Sequence, residues 1–207
     1  MRYHKIPSET IKRLPVYLRG LVLLCNKEVG RVSSKVLAEL VGINPWQIRK
    51  DFSYFGGFGT RGVGYEIDEL IGQIKKILKI DRVHKTALVG VGHLGQAVLA
   101  YPGFVGYGFT IAAAYDNDPE KIGKVIDNIR IEPIKNLKKL DKRDIEIGII
   151  AVPFQFAQII ADQLVEAGVK GILNFAPAYI TVPKKVKIIS IDFALDLACL
   201  PYYLNSK

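Results

Sequence analysis

The chain is poor in cysteine, histidine, methionine and tryptophan, and it has no long apolar run. Two cysteines in 207 residues, Cys25 and Cys199, are too few for a disulfide scaffold. Both stand in apolar sequence, which is expected of reduced, structural thiols in a cytosolic protein. The three histidines show no ligand spacing with the cysteines, so no metal site is expected. No apolar stretch approaches the ~18 residues that span a bilayer. The start, MRYHKIPSETIKRLP, lacks the apolar core of a secretory signal. Membrane and secreted classes are therefore disfavoured. Tandem repeats and low-complexity tracts are absent. What remains is a globular chain, 49% hydrophobic and 24% charged, of one to two domains at ~150 residues each.

Charge is unevenly placed. Of a formal net charge of +9, residues 1–82 carry +7, from 15 Lys and Arg against 8 Asp and Glu. A basic small domain joined to a near-neutral larger one points to a polyanion as partner of the first. Charge alone favours the plainer reading, a solvated basic surface.

The N-terminal third reads as helices. Ile11, Leu14, Leu18, Leu21, Val22 and Cys25 recur at helical spacing, with Ser8 expected as cap and Pro15 as a kink. A short helix follows, expected to be capped by Ser34, with Val36, Leu37, Leu40 and Val41 inward. Gly42 suits the left-handed residue that ends it. Asn44 then caps a second helix that has Pro45 at its first position. Two short helices about a glycine-containing turn form the helix-turn-helix pattern. In the second helix Ile48, Phe52 and Phe55 should point inward. Trp46, Gln47, Arg49, Lys50, Ser53 and Tyr54 point outward, as donors and rings suited to a major groove.

GGFGTRGVGY, residues 56–65, holds five glycines in ten positions. It lacks the Lys-Ser or Lys-Thr of a phosphate loop, so a tight β-hairpin is expected instead. After a helix-turn-helix such a hairpin is a wing, with Arg61 at its tip for a minor groove or a phosphate. Ile67, Leu70, Ile71, Ile74, Ile77 and Leu78 predict an amphipathic helix that packs as core or linker.

Residues 85–192 predict a dinucleotide-binding α/β domain. Strand Thr86–Val91 runs into Gly90, Val91, Gly92, His93, Leu94 and Gly95, followed by a helix. This is G-x-G-x-x-G between a strand and a helix. The glycines allow a tight turn and a close approach of backbone to pyrophosphate. A second strand, Thr110–Tyr115, leads to Asp116, 21 residues after Gly95. A carboxylate there accepts from both adenosine ribose hydroxyls and favours NAD(H) over NADP(H), although Lys121 lies nearby. Strands are also predicted over Ile145–Val152, Gly171–Phe175 and Ile188–Ile191. Ligands bind beyond the carboxyl ends of such strands. Ala151, Val152 and Pro153, and Asn174, Phe175, Ala176 and Pro177, are therefore candidate lining loops, the second being equally consistent with an ordinary turn. Asp118-Pro119-Glu120 reads as a helix start. Phe193, Leu197, Leu200 and Leu204 form an apolar stripe on a last helix, which either caps its own domain or packs on a second subunit.

A dinucleotide domain usually belongs to a dehydrogenase, so a small NAD-dependent oxidoreductase with a basic N-terminal appendage is one reading. Hydride-transfer enzymes need a positioned acid or base. His4, His84 and His93 all lie away from the later strand-end loops, and the tail after Ile188 is short for a substrate domain. A regulator that reads the cofactor without consuming it fits better, and no catalytic residue is assigned.

The order of PWQIRKDFSYFGGFGTRGVGY, GVGHLGQAVLAYPGF, DNDPEKIG and GILNFAP resembles the Rex family of redox-sensing transcriptional repressors over nearly the whole chain. The resemblance implies a cytoplasmic homodimer on palindromic operator DNA. Each subunit would have a winged-helix domain (1–82), a Rossmann-type doubly wound parallel sheet (83–191) and a swapped dimerisation helix (192–207). It implies an NADH/NAD⁺ ratio sensor, released from DNA by NADH. It assigns Arg49, Lys50, Tyr54, Arg61 and Gly62 to operator contacts and the glycine turn with Asp116 to the ADP half. It places Phe193 at the nicotinamide pocket and Arg19, Tyr101 and Asp192 at the switch between states. Pro201 departs from the family pattern and puts the straightness of the last helix in question.

Overall fold

The computed structural model describes residues 6–59 and 62–204. The chain divides into two compact units, residues 1–82 and 83–207.

In the first unit, α1 (Ser8–Cys25) buries Leu14, Tyr17, Leu18 and Leu21. Pro7, not Ser8, sits at the cap position, with no side-chain cap. Pro15 stays inside the helix rather than ending it. Pro15 and Ile11 both lie on the exposed side, where water serves the carbonyl that loses its partner. β1 (Arg31–Val32) precedes α2 (Ser34–Val41) and α3 (Pro45–Ser53). Ser33 rather than Ser34 caps α2, accepting from Val36 N–H at 3.2 Å. Val36 and Leu40 turn out to be exposed, and the inward face is Leu37 and Ala38. Gly42 ends α2 at φ 68°, and Asn44 Oδ1 caps α3 through Trp46 N–H at 2.8 Å. α1 and α2 approach closely at Gly20, where a Cβ would stand 2.7 Å from Val41 Cγ1.

The tip of the expected hairpin, residues 60 and 61, lies outside the described residues; its described limbs form no strand pair with each other, although a Cβ on Gly59 would overlap the Gly64 carbonyl oxygen. Its last residue belongs instead to β2 (Tyr65–Glu66), which pairs antiparallel with β1. The strand partner thus comes from before the helix-turn-helix, a long-range pairing that no local turn signal announces. α4 (Ile67–Leu78) then buries Ile67, Leu70 and Ile74. Phe52 is the hub of the unit, edge-on to Tyr17, Phe58 and Tyr65 at 5.1–5.3 Å.

The second unit is a seven-stranded sheet. Its strands are β3 (His84–Val89), β4 (Phe109–Asp116), β5 (Val125–Ile126), β6 (Ile129–Pro133), β7 (Ile145–Ile150), β8 (Gly171–Asn174) and β9 (Lys187–Ser190). The order is β5-β6-β4-β3-β7-β8-β9, parallel except for the β5–β6 hairpin. α5 (His93–Leu99), the short α6 (Gly103–Gly106) and α7 (Phe154–Glu166) connect strands, and α8 (Phe193–Leu204) follows the last. The chain leaves β3 toward β4 on one side and returns to β7 on the other, so β3 marks the switch point. β5 and β6 were not foreseen, because their apolar residues are few and interrupted by Asp127 and Asn128 at positive φ. Residues 118–120 form a turn rather than a helix start, closed by Asp118 Oδ1 accepting from Glu120 N–H at 2.9 Å. α8 runs through Pro201 and has no buried residue. The expected apolar surroundings of the cysteines are not found. Both are free; Cys25 Sγ lies 3.3 Å from Asp68 Oδ1, and Cys199 is exposed on α8.

Candidate functional site

In the first unit, the caps of α3 set which of its side chains face water. Trp46 is 58% exposed, and Lys50 Nζ lies 4.8 Å from its ring centroid. Arg49 is exposed, and its Nη1 donates to Ser34 Oγ at 2.9 Å. This bond orients a guanidinium that would otherwise sample many rotamers. Ser53 is exposed and donates to the Lys50 carbonyl at 2.7 Å, while Tyr54 is half-buried just past the helix end. Gln47 departs from expectation: its Nε2 donates inward to Asp51 Oδ1 at 2.8 Å. Gly62 is exposed at φ 85° with open space about it. Arg61 lies outside the described residues.

The residue that sequence reasoning missed is Asp51. It is fully buried and accepts from Thr10 Oγ1 (2.9 Å), Arg13 Nε (2.6 Å) and Nη2 (2.8 Å), Tyr17 Oη (2.6 Å) and Gln47 Nε2. Burial pushes its pKa up, but these donors, Arg13 first, outweigh that and hold it at about 2. A buried carboxylate so fully paired locks the rotation of α3 on α1. The available signal was an acidic residue at i+4 from Gln47 on an otherwise basic helix.

In the second unit, Gly90 turns at φ 94°, and a Cβ on it would meet the Ala151 carbonyl oxygen at 2.5 Å. A Cβ on Gly95 would overlap the carbonyl oxygen of Gly90. Around Gly92, at the start of α5, nothing lies within 4 Å of a Cβ position. Two glycines therefore serve close packing, and the third leaves space beside the helix start, which fits a pyrophosphate. Val91 is buried, while His93 and Leu94 are exposed.

Asp116 is held differently from the simple expectation. Its Oδ2 accepts Val91 N–H at 2.7 Å, its Oδ1 accepts Asp118 N–H at 2.9 Å, and Lys121 Nζ stands 3.4 Å from Oδ2. Burial raises its pKa, but the two backbone N–H groups and Lys121 bring it below the ordinary carboxylate value. The carboxylate thus fixes the glycine turn and has lone pairs left for a hydroxyl. A cavity of about 450 Å³ opens here. It brings together Gly90, Gly92, Asp116, Ala151, Val152 and Pro153, and adds Asn117, Asp118, Lys121 and the α7 side chains Phe156, Ile159 and Gln163.

The Asn174 loop lies outside that cavity lining. Asn174 is fully buried; it donates to the Ala176 carbonyl and accepts Ala176 N–H, both at 2.9 Å. It is a clasp that shapes the turn, with Ala176 buried and Pro177 exposed. Phe175 stacks on Phe193 with centroids 6.3 Å apart. Tyr101 is exposed and edge-on to Phe104. Asp192 Oδ1 caps α8 through Ala194 N–H at 3.0 Å. Arg19 is exposed on α1, in the first unit.

The chain matches two family models, one described as a CoA binding domain over residues 81–178 and one as a putative DNA-binding protein N-terminus over residues 5–53. A redox-sensing transcriptional repressor Rex of Syntrophobacter fumaroxidans is 44% identical over 207 residues, covering 99% of each chain. A protein of the same name in Carboxydothermus hydrogenoformans is 47% identical over 206 residues, again covering 99% of each. The chain belongs to the Rex family. Rex proteins are transcriptional repressors, so the dehydrogenase reading falls and a Rossmann-type sheet beside a DNA-binding unit is the family architecture. Among solved structures, the Rex-family repressor RSP in complex with β-NAD⁺ and operator DNA is similar at TM-score 0.91 and 36% identity, covering 97% of this chain and 93% of that one. RSP in complex with β-NADH is similar at TM-score 0.88 and 35% identity, covering 97% and 94%. Among the described residues of this Rex chain, no three His, Cys, Asp or Glu gather as metal ligands, and no helix is long and apolar enough to cross a membrane.

Proposed function

We propose that this Rex-family repressor binds palindromic operator DNA through α3 and the glycine-rich loop, and that NADH on the β3–α5 turn releases it. The observation that carries this reading is one chain holding an oriented, basic helix-turn-helix face and, in a separate unit, an open glycine turn anchored by Asp116. Trp46, Arg49, Lys50, Ser53 and Tyr54, with Arg61 and Gly62, supply the DNA contacts; Gln47 acts by orienting Asp51. Arg49 is suited to a bidentate guanine contact and Lys50 to phosphate.

The pyrophosphate lies over Gly92 at the start of α5, and the ribose lies toward Asp116. Phe193 borders the far half of the cofactor, while Ala151, Val152 and Pro153 line the cavity beside Asp116. Residues 1–82, 83–191 and 192–207 act as reader, sensor and dimerisation helix. The exposed apolar stripe of α8, with Leu197 at 65% and Leu204 at 81%, supports a homodimer that covers it. The two oxidation states of the cofactor differ at the nicotinamide ring, so the switch must act there, through Arg19, Tyr101 and Asp192. NADH and operator favour different states of the dimer, and each weakens the other by the same factor.

The experiment is fluorescence anisotropy of a labelled palindromic operator at fixed salt, since phosphate contacts make affinity salt-dependent. Protein is titrated alone, with NAD⁺ and with NADH. Tight binding kept with NAD⁺ and weakened ~5–150-fold by NADH is expected. Binding indifferent to both dinucleotides would overturn the reading.

A further inference from the structure

The cavity beside Asp116 has a second polar end that the glycine turn does not explain. Phe156, Ile159, Ile160 and Gln163 follow one another at i, i+3, i+4 and i+7, so they share one face of α7. All four line the cavity. Phe156 and Ile159 are large apolar side chains left 46% and 55% exposed, an open apolar wall among the described residues. Gln163 is half-buried, and its Oε1 is buried with no hydrogen-bond partner among the described residues. An acceptor in that state is costly and calls for a donor. The terminal torsion of glutamine is soft, so the amide turns into the cavity at little cost.

The chemistry of this wall selects its ligand. Apolar side chains take the face of a flat ring, and an amide offers one acceptor and two donors at the ring edge. On its N7 edge adenine presents the complementary pair, the exocyclic amine as donor beside N7 as acceptor, and glutamine pairs with it bidentately, whereas hypoxanthine shows two acceptors there. A sugar or phosphate has no use for Phe156 and Ile159. We infer that Gln163 reads the adenine edge of the bound dinucleotide and sets the base specificity of this cavity, an inference that rests on the dinucleotide reading above.

The test compares NADH with reduced nicotinamide hypoxanthine dinucleotide, in which a carbonyl oxygen replaces the exocyclic amine. Dissociation constants are read from nicotinamide fluorescence for the wild-type chain, Gln163→Met and Gln163→Glu. A good bidentate contact predicts about tenfold preference for NADH in the wild type. Gln163→Met should erase the preference, mainly by weakening NADH. Gln163→Glu should keep or sharpen it, because a carboxylate accepts from the amine and repels the carbonyl. The ratio of two ligands on one protein is insensitive to a merely structural loss. Were Gln163→Met to retain the wild-type preference, or the wild type to show none, the role of Gln163 would be refuted while the dinucleotide site stood. Loss of preference in Gln163→Glu would refute it too. Failure of the wild type to bind either dinucleotide would remove the dinucleotide reading and this inference together.

Discussion

At the scale of single residues, the buried carboxylate of Asp51 ties α3 to α1. Its pKa falls from an ordinary 3.8 to about 2 on folding. A depressed carboxylate stabilises the fold above its unfolded pKa, and that stability is lost as pH falls through the folded value. The difference amounts to about 2 kcal/mol, lost between roughly pH 4 and pH 2. Circular dichroism of acid unfolding should therefore show a shallower loss in this window for Asp51→Asn, whose starting stability is lower. An equally steep loss in the variant would assign the acid sensitivity elsewhere. Under the proposed function, Arg49 is the residue-scale determinant of DNA selectivity. Arg49→Ala should reduce discrimination between operator and random DNA by about 1–3 kcal/mol, leaving NADH affinity unchanged; competition anisotropy measures the first and nicotinamide fluorescence the second. Asp192→Ala should uncouple NADH from operator release while adenine-side binding persists, and full release by NADH in that variant would contradict the assignment. The outward face of Arg49 and the strand-end place of Asp116 were legible in the sequence, and Asp192 entered through the family resemblance. Gln47, Asp51 and Gln163 were misread or missed, because their roles depend on Asp51 reaching α1 across 34 to 41 residues and on which face of α7 meets the glycine turn.

Helices and turns were legible where a local rule governs them. Asn44, Pro45 and Gly42 set the limits of the helix-turn-helix through caps and one left-handed residue. The cap of α2 was displaced by one residue because Ser33 and Ser34 are chemically alike. Ser33 takes the cap, and Ser34 is left to hold Arg49. Pro15 and Pro201 both sit inside helices, since propensity yields to packing and solvent access. The glycine turn was legible because steric need leaves no alternative to glycine there. Gly95→Ala places a Cβ against the Gly90 carbonyl. It should abolish the NADH response yet leave operator binding in place, since the first unit has its own core. Operator anisotropy with and without NADH checks this, and a preserved NADH effect would be inconsistent with the turn as the pyrophosphate site.

At the scale of the whole molecule, the proposed assembly rests on α8. An exposed apolar stripe on a helix with no buried residue is stable in water once a second surface covers it. Leu197→Glu with Leu200→Glu should shift sedimentation toward the monomer and weaken operator binding strongly, because a palindrome rewards two linked readers. A dimer unchanged by the two charges would place the interface elsewhere.

The α/β class, the helix-turn-helix, the glycine turn and the basic N-terminal charge can all be read from the residues in order. Each follows from residues within one helical turn or one tight loop, where sterics and hydrogen bonding act locally. The β1–β2 pairing, the β5–β6 hairpin, the burial of Asp51 and the second wall of the cavity emerge from the folded arrangement. Those depend on contacts between distant segments, and a residue's burial and partners are set by what packs against it rather than by its neighbours in the chain.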